Sequence, residues 1–162
     1  MDLDLLAQQV GAQLQKHALS LVTAESCTGG WVAKIVTDIA GSSAWFDRGF
    51  ITYANAAKQE MLGVRVETLA VHGAVSEATV LEMAEGALAR SHAQVSLAVS
   101  GIAGPGGGTL DRPVGLVCFA WSRAAQVSVA ASEHFIGDRD SIRRQAVARA
   151  LRGVLEVLQR NS

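Results

Sequence analysis

A chain of 162 residues, 49% of them hydrophobic, is one domain long enough to bury about 70% of the surface that its unfolded form exposes. Fourteen Lys and Arg against fifteen Asp and Glu leave a formal charge of −1, which argues against a general nucleic-acid binder built on a basic surplus. No apolar run reaches the ~18 residues that span a bilayer, and Met1-Asp2-Leu3-Asp4 is acidic where a secretory leader is basic. Cys27 and Cys118 form neither a metal-ligand spacing nor a disulfide framework, so the expected setting is a reducing cytoplasm with no membrane partner.

Apolar residues at Leu3, Leu6, Val10 and Leu14 follow helical spacing and predict a helix over residues 3–17. Residues 19–23 read as a short buried strand. Residues 31–38 read as a helix, with Trp31, Ile35 and either Val32 or Val36 on one face. After Gly41-Ser42-Ser43, the content of Trp45, Phe46, Phe50, Ile51 and Tyr53 predicts a second strand within residues 44–54. The three aromatics Trp45, Phe46 and Phe50 suit either core burial or a homodimer surface, and a homo-oligomer is expected. Two short helices follow, over 55–62 and 66–71, ended by Gly63 and by His72-Gly73. Ser76 is placed to cap a helix through Ala89. Residues 95–102 predict a third strand, 114–121 and 126–135 a hairpin, and Asp138 caps a last helix to Gln159. Alternating helices and strands that give way to a hairpin predict a three-layer α/β fold with a mixed sheet, with neither an internal repeat nor a second domain.

In such a sheet the ligand site lies beyond the carboxyl ends of the parallel strands. Four clusters fall at strand tips: Glu25-Ser26-Cys27-Thr28-Gly29-Gly30, the segment from Tyr53 to Lys58, the segment from Ser100 to Gly108, and Gly137-Asp138-Arg139. The first is small, hydroxyl-rich and doubly glycine between a strand and a helix. That pattern fits an activated serine with an oxyanion hole, a phosphate cradle, or a plain connection capped by Ser26 or Thr28. Lys58 is one of three lysines against eleven arginines. Lysine is the basic side chain that loses its proton at workable cost, although an unperturbed one is neutral only to the order of 0.1% near pH 7.4. Lowering its pKa by about 3 units takes roughly 4 kcal/mol of destabilisation of the ammonium, which a buried pocket supplies and an exposed helix face does not. Tyr53, the only tyrosine, closes an apolar strand and suits packing as well as chemistry.

Arg139 sits in the first turn of the last helix, where the helix dipole disfavours a cation unless an anion binds or Asp138 and Asp140 neutralise it. Arg143, Arg144, Arg149, Arg152 and Arg160 come after it, and a solvated helix face accounts for most of them. Ser100, before Gly101, is suited to a ligand or to a turn. The run Gly104-Pro105-Gly106-Gly107-Gly108 lacks the Gly-Lys-Ser/Thr of a P-loop and does not match the dinucleotide fingerprint. The four histidines, His17, His72, His92 and His134, are scattered without ligand spacing, so neither a metal nor another cofactor is expected.

Taken together and in order, Ala24-Glu25-Ser26-Cys27-Thr28-Gly29-Gly30, Tyr53-Ala54-Asn55-Ala56-Ala57-Lys58, His72-Gly73-Ala74-Val75-Ser76 and Ser100-Gly101-Ile102-Ala103-Gly104-Pro105 resemble the CinA C-terminal domain family, in its stand-alone nicotinamide-nucleotide amidase type. The resemblance covers nearly the whole chain. It implies a three-layer α/β/α sandwich with a mixed, mostly parallel sheet and hydrolysis of nicotinamide mononucleotide to nicotinate mononucleotide and ammonia. By motif it puts a serine nucleophile on Ser26 and its lysine partner on Lys58, with Tyr53 as an auxiliary. Substrate contacts are expected from Thr28, Gly29, Gly30, Ser100 and Arg139, the phosphate resting on Arg139 or on a glycine turn. The competing function is a non-catalytic nucleotide-binding or regulatory module linked to competence or DNA damage.

Overall fold

A computed structural model describes residues 2–160. Its elements run α1 (Leu3–Lys16), β1 (Leu21–Glu25), α2 (Trp31–Thr37), a single 3-10 turn (Ser42–Ala44), β2 (Phe46–Ile51), α3 (Asn55–Leu62), α4 (Val66–His72), α5 (Glu77–Ala89), β3 (Val95–Gly101), β4 (Leu116–Arg123), β5 (Val129–His134) and α6 (Arg139–Gln159). The caps lie where the sequence places them: Thr79 N–H donates to Ser76 Oγ at 3.1 Å, and Ser141 N–H to Asp138 Oδ1 at 2.9 Å. The first strand is displaced by two residues from the predicted 19–23, so Glu25 ends a strand instead of opening a loop.

The five strands form one sheet in the order β2-β1-β3-β4-β5. β1 is parallel to both β2 and β3, while β3–β4 and β4–β5 are antiparallel. Four of the five strands therefore point one way and β4 alone runs back, which is the mixed, mostly parallel sheet expected.

Side chains alternate across the pleat and feed two separate cores. On one face Leu21, Leu97, Val99, Phe119 and Trp121 pack under Val10 and Leu14 of α1, Val32 and Val36 of α2, and Val147, Leu151 and Val154 of α6. On the other face Ala24, Ala98 and Ala120 are small, and α5 settles onto them through Val80, Met83 and Ala87. Helices on both faces of one sheet make three layers.

Gly86 in α5 decides how α3 sits. A Cβ there would lie 1.9 Å from the Leu62 carbonyl oxygen, at the end of α3. Helix propensity favours Ala over Gly by about 1 kcal/mol, but a methyl against fixed backbone works the other way. Gly86→Ala is expected to destabilise the domain by about 1–3 kcal/mol net. Thermal melting checks this, and an unchanged or raised Tm would refute the reading.

Trp45, Phe46 and Phe50 all pack on a core. Trp45 is buried against Gly11 of α1, whose added Cβ would meet the indole at 2.6 Å. Phe46 and Phe50, four residues apart, share a face in a regular strand. A register shift between Leu21 and Val22, which pair with Phe46 and Arg48, changes that. Phe46 packs on the first core and Phe50 on the second.

Candidate active site

At the carboxyl end of β1 the chain turns sharply. Ser26 N–H extends the strand by donating to Val99 O at 3.0 Å, and Gly29 N–H closes the turn onto Ser26 O at 3.0 Å. Gly29 (φ +59) and Gly30 (φ +102) take left-handed conformations that side chains disfavour. The fully buried Glu25 carboxylate organises the start of α2. It accepts from Thr28 Oγ1 at 2.6 Å and from the N–H groups of Gly30, Val32 and Ala33 at 3.2, 2.9 and 3.0 Å. These are N–H groups that the first turn of a helix leaves without intrahelical partners. The strand's last side chain thus caps the next helix. Among the described residues the backbone N–H groups of Cys27 and Thr28 donate to no other residue, the Cys27 N–H facing only its own sulfur.

Lys58 stands on the first turn of α3, which begins four residues after β2 ends. Its ammonium nitrogen lies 3.1 Å from Ser26 Oγ, 2.8 Å from Thr52 O and 3.1 Å from Tyr53 O. Lys58 is only 1% exposed and Ser26 7%. Burial withdraws water from the charged form and lowers the lysine pKa below its ordinary 10.5; the Cys27 side chain, the only opposing influence, raises it. A neutral amine has two N–H bonds and one lone pair. The two carbonyls accept the N–H bonds, and the lone pair is left for the Ser26 hydroxyl proton. Cys27, next to the serine, holds its proton at neutral pH. Burial first, then the Glu25 charge, pushes its thiol up to about 12. On the order of one molecule in 10⁵ then carries a thiolate at pH 7.

Ser26 and Lys58 open onto a cleft of about 170 Å³. Tyr53, Asn55 and Arg139 lie on its rim and walls, Ser100 and Gly101 on β3, and Cys27, Ala74, Val75 and Ala103 complete the lining. Ser100 is 1% exposed, and its hydroxyl has no hydrogen-bond partner among the described residues. Arg139 donates to Gly104 O at 2.8 Å and to the Tyr53 hydroxyl at 3.4 Å. Tyr53 therefore touches Lys58 through its carbonyl and Arg139 through its phenol.

Five of the eight residues singled out from the sequence thus meet in one cleft: Ser26, Lys58, Tyr53, Ser100 and Arg139. Thr28, Gly29 and Gly30 do not line it. They border a shallower cavity of about 390 Å³ with Trp31, Lys34 and Arg143. Sequence reasoning quotes Glu25 and Asn55 within its motifs but gives them no role, and it misses the carbonyls of Thr52 and Tyr53. Asn55 had one signal, as the polar residue between Tyr53 and Lys58. The backbone acceptors had none. Among the described residues no group of three or more His, Cys, Asp or Glu side chains is placed to hold a metal ion, and no helix is long and apolar enough to cross a membrane.

Fold and site together define an α/β/α protein with a serine and a lysine hydrogen-bonded in a buried cleft at the ends of parallel strands. The chain belongs to the CinA C-terminal domain family, whose model matches residues 3–158. It is 55% identical over 157 residues to the nicotinamide-nucleotide amidohydrolase PncC of Escherichia coli K12, covering 97% of this chain and 95% of that protein. The PncC of Enterobacter agglomerans is 49% identical, covering 96% and 95%. Among solved structures, the competence/damage inducible protein CihA of Agrobacterium tumefaciens superposes with a TM-score of 0.96 at 46% identity, covering 98% of this chain and 97% of that one.

Proposed function

We propose that this chain is a nicotinamide-nucleotide amidohydrolase that converts nicotinamide mononucleotide and water to nicotinate mononucleotide and ammonia, with Ser26 as nucleophile and Lys58 as its base. The observation that carries the reading is the 3.1 Å contact between Lys58 Nζ and Ser26 Oγ, both buried at the floor of the cleft. Neutral Lys58 takes the hydroxyl proton as Oγ attacks the carboxamide carbon. The negative oxygen of the tetrahedral intermediate takes hydrogen bonds from the free N–H groups of Cys27 and Thr28. The Lys58 ammonium then protonates the departing nitrogen and ammonia leaves. A water molecule, deprotonated in turn by Lys58, cleaves the acyl-serine ester and restores Ser26.

Arg139 suits the substrate phosphate better than the glycine turn does. The α2 amides of Gly30, Val32 and Ala33 already donate to Glu25, whereas Arg139 keeps a guanidinium at the rim with Tyr53 beside it. Ser100 offers an unpaired hydroxyl to the carboxamide or the ring edge. The setting we assign is the cytoplasm, where the buried free thiols Cys27 and Cys118 stay reduced and the reaction returns an amide mononucleotide to its acid for pyridine nucleotide recycling. A purely nucleotide-binding module has no use for a lysine buried against a serine.

The test is ammonia release from nicotinamide mononucleotide by purified protein in EDTA. Wild type is expected to turn over, and Ser26→Ala to lose about 10³-fold or more in kcat while still binding the mononucleotide. Binding without ammonia release in wild type would overturn the hydrolase and leave a binding module.

A further inference from the structure

We propose that Arg143, in the second turn of α6, is a positioning residue for the oxyanion site. This rests on the hydrolase reading. Arg143 lies 115 residues from Thr28 in sequence, yet its guanidinium closes on the turn that carries the serine. Nε donates to Cys27 O at 3.0 Å and Nη2 to Thr28 O at 3.1 Å. The guanidinium carbon lies 5.6 Å from the centre of the Trp31 ring, which backs the planar group. Among the described residues its hydrogen-bond partners are carbonyls and not a carboxylate.

Peptide geometry supplies the consequence. In a trans peptide the C=O and the N–H point in opposite directions. Fixing the Cys27 carbonyl toward α6 therefore fixes the Thr28 N–H on the opposite side of the same plane. The other free amide is set in the same way: the Ser26 carbonyl accepts from Gly29 N–H, and this orients Cys27 N–H. The N–H of the residue after a nucleophilic serine is a recurrent oxyanion donor. Both unpaired donors are thus aimed by a bond to the carbonyl of their own peptide, one from within the turn and one from Arg143. A positive charge on a carbonyl also polarises its peptide, so the Thr28 N–H becomes a stronger donor.

Gly29 keeps the clamp open. A Cβ at that position would come within 3.3 Å of Arg143 Nη2, on a backbone already at φ +59. A lysine cannot replace the arginine, because an ammonium does not present two parallel donors in one plane.

The experiment compares wild type with Arg143→Lys and Arg143→Gln, each checked for folding by circular dichroism and thermal melting. Removing an oxyanion donor outright costs about 10²–10³ in kcat, so a misaligned one is expected to cost about 10- to 100-fold. The Kd for nicotinamide mononucleotide, measured with Ser26→Ala in the same background, should change less than about threefold, since the ground state makes little use of the hole. Pyridine-3-boronic acid supplies a second readout. Its boron accepts Ser26 Oγ and becomes tetrahedral, so its affinity should fall in parallel with kcat.

A merely structural role would lower Tm without moving kcat per folded molecule, and that result would overturn the assignment. Lower kcat with unchanged boronate affinity would overturn it too, because the defect would then lie outside the tetrahedral adduct. Should Arg143→Gln fail to fold, Arg143→Lys keeps the charge and the stem and carries the same comparison. Turnover surviving in Ser26→Ala would instead remove Ser26 as the nucleophile, and this assignment with it.

Discussion

Replacing Lys58 with Met keeps the side-chain stem, deletes the amine, and is expected to lower kcat by about 10³-fold while mononucleotide binding persists. Lys58→Arg should lose as much, because a guanidinium does not release its proton at working pH. The wild-type pH profile supplies the sign. Only the neutral amine can accept the Ser26 proton, so kcat/KM should rise with pH and reach half its plateau below the ordinary lysine value of 10.5, since burial lowers the pKa. A rate that is flat with pH, or full activity in Lys58→Arg, would remove Lys58 as the base.

Stability carries the same signature. The fold disfavours the charged amine, so between the lowered pKa and 10.5 the unfolded chain binds more protons than the native one. Native stability therefore gains as pH rises across that window. Below the folded-state value the full penalty of burying an ammonium applies. Lys58→Met should abolish this slope in urea melts recorded against pH.

Glu25→Ala is expected to cost about 3–5 kcal/mol, the largest stability effect expected of any substitution at the site. It removes the acceptor of four donors at once: Thr28 Oγ1 and the N–H groups of Gly30, Val32 and Ala33. All of them sit at or near the start of a helix of only seven residues, too short to hold itself. For a domain of this size the loss should lower Tm by roughly 10 °C. Glu25→Gln should fall between. Oε1 holds three of the four donors and survives as the amide oxygen, while the new NH₂ group faces the Ala33 N–H. A Glu25→Ala protein that melts like wild type would show that water replaces the carboxylate there.

The sequence carried the layout of the fold because its signals are local. Ser76 and Asp138 are strong caps, Gly63 and Gly73 are stops, and the run of alternating short elements permits few arrangements. The two-residue error at β1 had a physical source. Glu25 is charged, and a charge reads as a loop residue until the helix start that satisfies it is seen. The pairing of Ser26 with Lys58, 32 residues apart, comes from no spacing; it became legible only through the order of several motifs.

Arg143 stands among arginines most of which a solvated face accounts for, and nothing in the sequence sets it apart. Contacts made 115 residues away leave no periodic trace. Arg149 is similar: it pairs with Glu133 at 2.8 Å and lies over the Trp121 ring at 4.7 Å. Glycine told more than expected. Gly86 is needed for contact with Leu62 O, not for a turn.

The three oxygens around Lys58 bear on how quickly a charge can appear there. When the amine is neutral, Thr52 O and Tyr53 O accept its two N–H bonds and Ser26 donates to the lone pair. When it has taken the proton, the same three oxygens accept all three N–H bonds of the ammonium. No dipole has to turn between the two states. In bulk water a comparable transfer waits for a shell of solvent to reorient, whereas here that reorientation was completed when the corner between β2 and α3 folded. Rigidity at that corner is thus a kinetic asset, and loosening it would slow proton transfer even if every contact were still made on average.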